Sequence, residues 1–305
     1  MYGHMSSIPD PTVPPDNLRG GLWMLMAAIS FVAMTTMVKF LGTGYSAEVQ
    51  TFYRQVAGLV VLAPIVVRDG LRVFAAKRWP LMLLRSAMQS LGFILSFYSF
   101  QLLPLADANA LSFTRALWVV PLAILFLRER LTLPQLVVTI VGFGGVLVML
   151  QPGNADFGWG QATALLAAFL IAATNISVKS LSRDQSIVTL VLWSSLLGAL
   201  FTAPFAVAQA HVPDARDMAL LALMGALGVA AQMCNVRALQ IGAASVVVPI
   251  DYTRLIFAAV IGFTVFGERP NPATFAGAAI IIAATVSLGV VEYRARRRAP
   301  IAGVE

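Results

Sequence analysis

The sequence predicts an all-α integral membrane protein of ten transmembrane helices, arranged as two inverted five-helix repeats. Of the 305 residues, 59% are hydrophobic and 11% are charged, whereas a soluble domain carries roughly 25% charged residues. Apolar runs of about 20 residues, the length of a helix that crosses the hydrocarbon core, recur along the chain. The second half also repeats residues of the first half at a nearly constant spacing.

Ten predicted spans follow from apolar runs that are bounded by charged residues, glycine or proline. They cover residues 20–41, 48–67, 80–102, 104–126, 132–150, 158–179, 187–207, 218–239, 243–266 and 272–292. A transmembrane barrel is excluded because its strands are about 10 residues long with strict alternation. The spans divide into two repeats, 18–151 and 152–292. A disordered cytoplasmic tail is expected at 1–17 and a basic cytoplasmic tail at 293–305.

The placement of charge predicts the orientation in the membrane. The formal net charge is +7, and Lys and Arg gather in connections that fall on one side of the ten spans. The largest groups are Arg68, Arg72, Lys77 and Arg78, and Arg294, Arg296, Arg297 and Arg298. Because basic connections stay in the cytoplasm, both termini are predicted to be cytoplasmic in a bacterial-type inner membrane. The basic residues form no patch interleaved with aromatic residues, so no nucleic-acid partner is expected.

Internal symmetry predicts the mechanism. Matching residues of the two halves lie 139 or 140 positions apart, and they include Thr114 and Thr253, Arg115 and Arg254, Glu129 and Glu268, and Lys39 and Lys179. Each repeat holds five spans, an odd number, so the second copy enters the membrane from the opposite face. Inverted repeats commonly bind substrate near the midplane and open alternately to the two sides. We therefore expect a secondary transporter that functions as a monomer by alternating access.

Four short stretches carry a family resemblance: Phe97–Ala106, Leu127–Leu131, Arg237–Ser245 and Phe266–Arg269. In them the chain resembles the ten-helix, EamA-type members of the drug and metabolite transporter superfamily. The resemblance implies a basket of helices whose central cavity is lined mainly by spans 1, 3, 4, 6, 8 and 9. It also implies export of small metabolites, and the nearest similarity is to aromatic amino acid exporters. Nucleotide sugars, organic anions and cationic drugs stay open as alternative cargo.

Two arginines fall near the bilayer centre, where a charged side chain costs about 2.5–3.5 kcal/mol on insertion scales. Arg115 lies in the fourth predicted span and Arg254 in the ninth. Their guanidinium groups could bind a substrate carboxylate, or Asp251, three residues before Arg254, could neutralise them in an internal ion pair. Asp251 is also the candidate proton carrier. Pro249, in the same span, predicts a hinge because proline supplies no amide hydrogen.

Polar side chains at helical spacing and nearby aromatic residues complete the predicted substrate site. Polar stripes on several spans favour an aqueous cavity over interhelical hydrogen bonds, and aromatic side chains would contact an apolar part of the substrate. With Arg115 and Arg254, the predicted binding residues are Gln89, Phe93, Ser96, Tyr98, Trp118, Phe169, Asn175, Gln232, Asn235 and Tyr252. The predicted substrates are amino acids with aromatic or apolar side chains.

Motifs for catalysis and for cofactors are missing from the sequence. No phosphate-binding loop of the GxxxxGK[S/T] type is present. The two histidines, His4 and His211, fall in the tail and in a connection, so neither a metal, a cofactor nor an enzyme is expected. The expected partners are a small-molecule substrate and the lipid bilayer. An anion channel that uses Arg115 and Arg254 is the alternative of a different class, although a channel normally shows a ring of like charges.

Overall fold

The computed structural model describes residues 16–42, 44–75, 77–127, 133–150, 158–181, 185, 187–208, 213–241 and 250–298. These residues contain α-helices and one 3₁₀ turn, Gly70–Phe74, and no strand lies among them. The helices are α1 Asn17–Leu41, α2 Ala47–Asp69, α3 Trp79–Leu102, α4 Leu105–Ser112, α5 Arg115–Leu127, α6 Leu133–Leu150, α7 Trp159–Leu181, α8 Ile187–Ala208, α9 Ala215–Ile241, α10 Arg254–Phe266 and α11 Pro272–Arg298.

Seven stretches of the described residues are long and apolar enough to cross a membrane. They are Leu18–Leu41, Ala47–Arg68, Trp79–Leu102, Leu105–Phe126, Trp159–Ser177, Val188–Ala208 and Ala215–Ala238. Large apolar side chains point outward along them, among them Val67 and Leu200, as expected for helices whose outer surface contacts lipid rather than water. The predicted all-helical membrane class is therefore confirmed for the described residues.

The helices pack in a few dominant pairs. α1 lies along α9, α3 along α7, α2 along α8, and α6 along α11, while α4 packs against α10. The largest apolar core joins α1 to α3, α4, α9 and α10, with Phe97, Phe100 and Leu105 at most 1% exposed. This core brings the ends of α4 and α10 together in the middle of the molecule.

The fourth predicted span, 104–126, is present as the stretch Leu105–Phe126, but its helix is interrupted. α4 ends at Ser112 and α5 begins at Arg115. At the break, Thr114 Oγ1 donates to the carbonyl oxygen of Leu111 at 2.7 Å. Such side-chain bonds compete with the regular helical ladder, which apolar periodicity does not reveal.

The ninth predicted span breaks in the same way. Its first part, 242–249, lies outside the described residues, and with it the predicted hinge at Pro249. The helical residues end at Asp251, and Thr253 Oγ1 donates to Ile250 O at 2.7 Å before α10 begins. Both breaks thus stand directly before an intramembrane arginine.

Close backbone contact between α6 and α11 leads to a first prediction. A Cβ built at Gly145 would stand 2.9 Å from the carbonyl oxygen of Gly277, whereas a Cβ at Gly144 meets nothing within 4 Å. Gly145→Ala should therefore lower the free energy of unfolding by about 1–3 kcal/mol through overpacking. Gly144→Ala should be neutral or slightly stabilising, since alanine favours helix. Thermal unfolding in detergent compares the two variants, and equal melting temperatures would contradict the packing argument.

Candidate functional site

A charged centre forms where the two helix breaks meet. Arg254 is 2% exposed, and its Nη2 lies 2.7 Å from Asp251 Oδ2. Its guanidinium carbon lies 4.5 Å from the ring centroid of Phe31 and 5.0 Å from that of Phe113. The internal ion pair that the sequence offered as one alternative is therefore formed, and aromatic rings flank it.

Arg115 shares the same carboxylate but stays accessible. Its Nη2 lies 3.5 Å from Asp251 Oδ2, and 33% of its side chain is exposed. One carboxylate thus faces two guanidinium groups, so the centre carries a net positive charge. Tyr252 lies beside it and packs edge-to-face on Phe113, with ring centroids 5.0 Å apart. Among these residues, Arg115 is the group with donors most available to an incoming anion.

Three aromatic side chains form a second cluster at α5, α6 and α7. Trp118 packs edge-to-face against Phe143, with centroids 5.0 Å apart, and against Phe169, with centroids 5.3 Å apart. Trp118 Nε1 is buried and has no hydrogen-bond partner among the described residues. The two predicted binding residues Trp118 and Phe169 are therefore neighbours, and an unused donor lies between apolar surfaces.

The predicted residues of α3 are all half-buried, and three of them, Gln89, Phe93 and Ser96, follow one another at helical spacings of four and three residues. Ser96 accepts a hydrogen bond at its carbonyl oxygen from the hydroxyl of Ser99. Phe93 contacts the guanidinium of Arg54 on α2. Tyr98 donates its hydroxyl to Glu48 Oε1 at 2.8 Å, so this tyrosine already has a partner.

Three further predicted residues lie on α7 and α9. Asn175 and Gln232 are exposed. Asn235 is half-buried, and its Nδ2 lies 3.7 Å from Met24 Sδ.

Arg54 on α2 was missed by sequence reasoning. Its guanidinium carbon lies 3.8 Å from the ring centroid of Phe93, inside the membrane-crossing stretch Ala47–Arg68. The rule applied to Arg115, that a charge within an apolar span marks a functional site, would have found it. Phe93, a predicted binding residue, thus forms a cation–π contact with Arg54.

One end of the helix assembly holds an ion pair between Lys39 and Glu268, the latch, which the predicted site did not include. Lys39, at the end of α1, forms an ion pair with Glu268 and donates to the carbonyl oxygen of Leu103. Glu268 Oε2 accepts the backbone N–H of Leu105 at 2.7 Å. Because Leu105 is the first residue of α4, this carboxylate caps the positive end of that helix. The latch, Lys39 with Glu268, therefore joins the ends of α1, α4 and α10.

Local geometry aims Glu268 at this position. Gly267 ends α10 with a positive φ of 65°, a conformation that favours glycine. A Cβ at Gly262 would stand 2.7 Å from Glu268 Oε2.

A separate contact joins the α1–α2 connection to α9. Tyr45, which lies outside the spans, donates its hydroxyl to Asp217 at 2.7 Å. Burial, together with this hydrogen bond, raises the pKa of Tyr45 to about 12, so the contact persists at neutral pH.

Comparison with known proteins adds to this geometry. The EamA-like transporter family matches residues 18–151 and again residues 158–290. The chain belongs to this family. As an EamA-like protein it is a small-metabolite transporter and a multi-pass protein of the inner membrane. The resemblance predicted from the sequence is confirmed, and the family and its relatives are transporters, not enzymes.

Relatives differ in their named cargo. The S-adenosylmethionine uptake transporter of Rickettsia bellii is 29% identical over 90% of this chain and 94% of its own length. The riboflavin transporter of Brucella anthropi is 29% identical over 87% and 96%. The pseudopaline exporter of Pseudomonas aeruginosa is 25% identical over 90% and 97%. One protein crystal structure, 16% identical, superposes with a TM-score of 0.62 over 92% of this chain and 99% of that chain, and shows the fold alone.

Proposed function

We propose that this chain is an alternating-access carrier of ten spans, made of two inverted five-span repeats with both termini in the cytoplasm. Its proposed cargo is a metabolite that joins an amino acid group to an apolar or aromatic part. Aromatic amino acids are the smallest such compounds, and S-adenosylmethionine, an amino acid that carries adenine, is a larger one. Alternating access is reversible, so the solute gradients set whether the net flux is export or uptake.

The helix pairing is the observation that carries this proposal. The α1–α9 pair corresponds to the α7–α3 pair once each helix is exchanged for its repeat equivalent, and α2–α9 likewise corresponds to α8–α3. α2–α8 and α6–α11 each pair a helix with its own equivalent. Phe113 and Tyr252, which are 139 positions apart, contact each other. This two-fold pattern supports inverted repeats, which have two equivalent ways to open.

The latch supports a specific gate at each face. Lys39 and Glu268 close one end, and their repeat equivalents are Lys179 and Glu129. Glu129 and the side chain of Lys179 lie outside the described residues. We infer that the second pair closes the opposite face when the first pair opens. With cytoplasmic termini, the Lys39–Glu268 face is periplasmic.

The centre supports the proposed cargo. Arg115 keeps a third of its side chain exposed beside a centre with surplus positive charge, and this positive potential favours the entry of a negatively charged cargo. Trp118 and Phe169 offer apolar surface and one free indole donor, which suits a flat or apolar group. Two of the relatives' named cargoes, S-adenosylmethionine and riboflavin, contain flat rings.

Counterflow into proteoliposomes tests the carrier and its cargo. Vesicles preloaded with unlabelled compound should take up labelled L-tryptophan or S-adenosylmethionine at least several-fold faster than empty vesicles, because a carrier exchanges without completing an empty return. Riboflavin and a quaternary amine serve as comparison solutes. Non-saturable flux without stimulation would indicate a channel instead, and exchange of riboflavin alone would refute the amino acid class.

A further inference from the structure

Arg54 carries a positive charge that no described residue balances. It lies about 10 Å along α2 from Ala47, at 1.5 Å per residue, within a stretch that can cross the membrane. Its Nε is buried without a hydrogen-bond partner among the described residues. Asp16, Glu268 and Asp251 form ion pairs with other basic residues, and Glu48, also on α2, accepts the hydroxyl of Tyr98. An intramembrane charge in this state marks a pathway or a ligand site.

Two buried arginines, Arg85 and Arg254, show how a structural arginine is bound. Arg85 is 5% exposed, and its Nε also lacks a partner among the described residues, but its Nη1 donates to the carbonyl oxygen of Leu190 at 3.1 Å and to the hydroxyl of Ser194. Arg254 has the Asp251 carboxylate. Arg54 contacts an aromatic ring and has no oxygen acceptor within the part of the chain that the structure describes. Its charge is therefore suited to binding an anion from outside these residues.

The surroundings of Arg54 leave the in-plane donors for a ligand. The guanidinium carbon lies 3.8 Å from the centroid of Phe93, and a guanidinium that stacks on a ring keeps the N–H groups at its edge for a planar carboxylate. On the α9 side, a Cβ at Gly228 would stand 3.1 Å from Arg54 Nε and 2.9 Å from Met34 Sδ. Glycine at this position thus keeps room for the guanidinium between α1, α2, α3 and α9.

We propose that Arg54, held by Phe93, binds the carboxylate of the transported metabolite. This inference rests on the proposed function and adds the residue that recognises the acid group. The guanidinium would form two parallel hydrogen bonds to the carboxylate, and the pair would neutralise the charge while the substrate crosses the membrane.

Matched pairs of probes test this assignment. L-Tryptophan is compared with L-tryptophanamide, and S-adenosylmethionine with its decarboxylated analogue, by thermophoresis on protein in nanodiscs. The wild type should bind the acid of at least one pair about tenfold or more tightly, as expected for hydrogen bonds to a charged group. Arg54→Gln should lose this preference, and Arg54→Lys should keep part of it, because lysine keeps the charge without the fork.

Two further variants distinguish a specific loss of acid binding from a general effect of misfolding. Gly228→Ala leaves the arginine in place but crowds its Nε, and should weaken acid binding without removing the charge. Arg19→Gln changes an arginine that is exposed and paired with Asp16, and should bind as the wild type does. An Arg54→Gln protein that keeps the preference for acids overturns the assignment, as does a wild type that binds acid and non-acid equally or binds neither acid.

Counterflow separates this inference from the proposed function. Stimulated exchange by the wild type with no preference for acids would refute the role of Arg54 and leave the carrier intact. If no probe exchanges at all, the proposed function itself fails.

Discussion

Asp251→Asn is expected to lower the free energy of unfolding by about 3–5 kcal/mol, the cost of breaking a buried ion pair by removing one partner. Asp251 Oδ2 lies 2.7 Å from Nη2 of Arg254, whose side chain is 2% exposed. Asparagine keeps the shape but removes the charge, so it leaves one fully buried and one partly buried guanidinium uncompensated. Chemical denaturation in detergent measures the change.

Further variants separate effects on stability from effects on transport. Asp214→Asn alters an exposed carboxylate that accepts the N–H of Asp217 at the start of α9, and it should change stability by less than about 0.5 kcal/mol because asparagine caps a helix as well as aspartate does. Arg254→Gln should destabilise the protein, whereas Arg115→Gln, with a third of its side chain exposed, should keep near-normal stability and slow counterflow. Wild-type stability of both Asp251→Asn and Arg254→Gln would show that the charged centre is not structural.

Glu268→Gln is expected to open the Lys39–Glu268 face. Glutamine can still accept the N–H of Leu105, so the substitution removes the ion pair and spares the helix cap. Hydrogen bonds to charged groups contribute about 1.5–3 kcal/mol, so the populations of the two states should shift by roughly tenfold or more. Turnover should fall because the state closed at this face is no longer favoured.

A cysteine reporter measures this opening. Cys234, the chain's one cysteine, is replaced by alanine, and cysteine is placed at Ala106, which is 0% exposed. A membrane-impermeant maleimide should label this reporter several-fold faster in Glu268→Gln than in the parent. Arg269→Gln, at an exposed neighbouring residue, is the control. Unchanged labelling and unchanged counterflow would reduce the pair to a helix cap.

The repeat equivalents should act in the opposite direction. If Glu129 and Lys179 close the other face, Glu129→Gln favours the state in which Lys39 and Glu268 are paired. The Ala106 reporter should then stay protected while turnover falls. Labelling that rises in Glu129→Gln would contradict two alternating latches.

Residue patterns in the sequence predicted some of the charged residues of the site and missed others. Arg115, Arg254 and Asp251 were found because a charge within an apolar run is rare and costly, and the three do meet. The same rule was not applied to Arg54, so that residue was missed. The latch escaped prediction for another reason: Glu268 at a span end looks like any interfacial charge until α1, α4 and α10 are seen to converge on it.

Hydrophobic run length by itself determined that this chain is an all-helical membrane protein, because a bilayer accepts only helices or closed barrels and the runs are too long for barrel strands. Which charges are neutralised was decided by tertiary structure alone. Arg54, Arg115 and Arg254 look alike in an apolar sequence, but packing gives Arg254 a carboxylate and Arg115 a share of it, whereas Arg54 contacts an aromatic ring and no carboxylate among the described residues. The free energy of a buried charge depends on neighbours within a few ångströms, and those neighbours come from other helices.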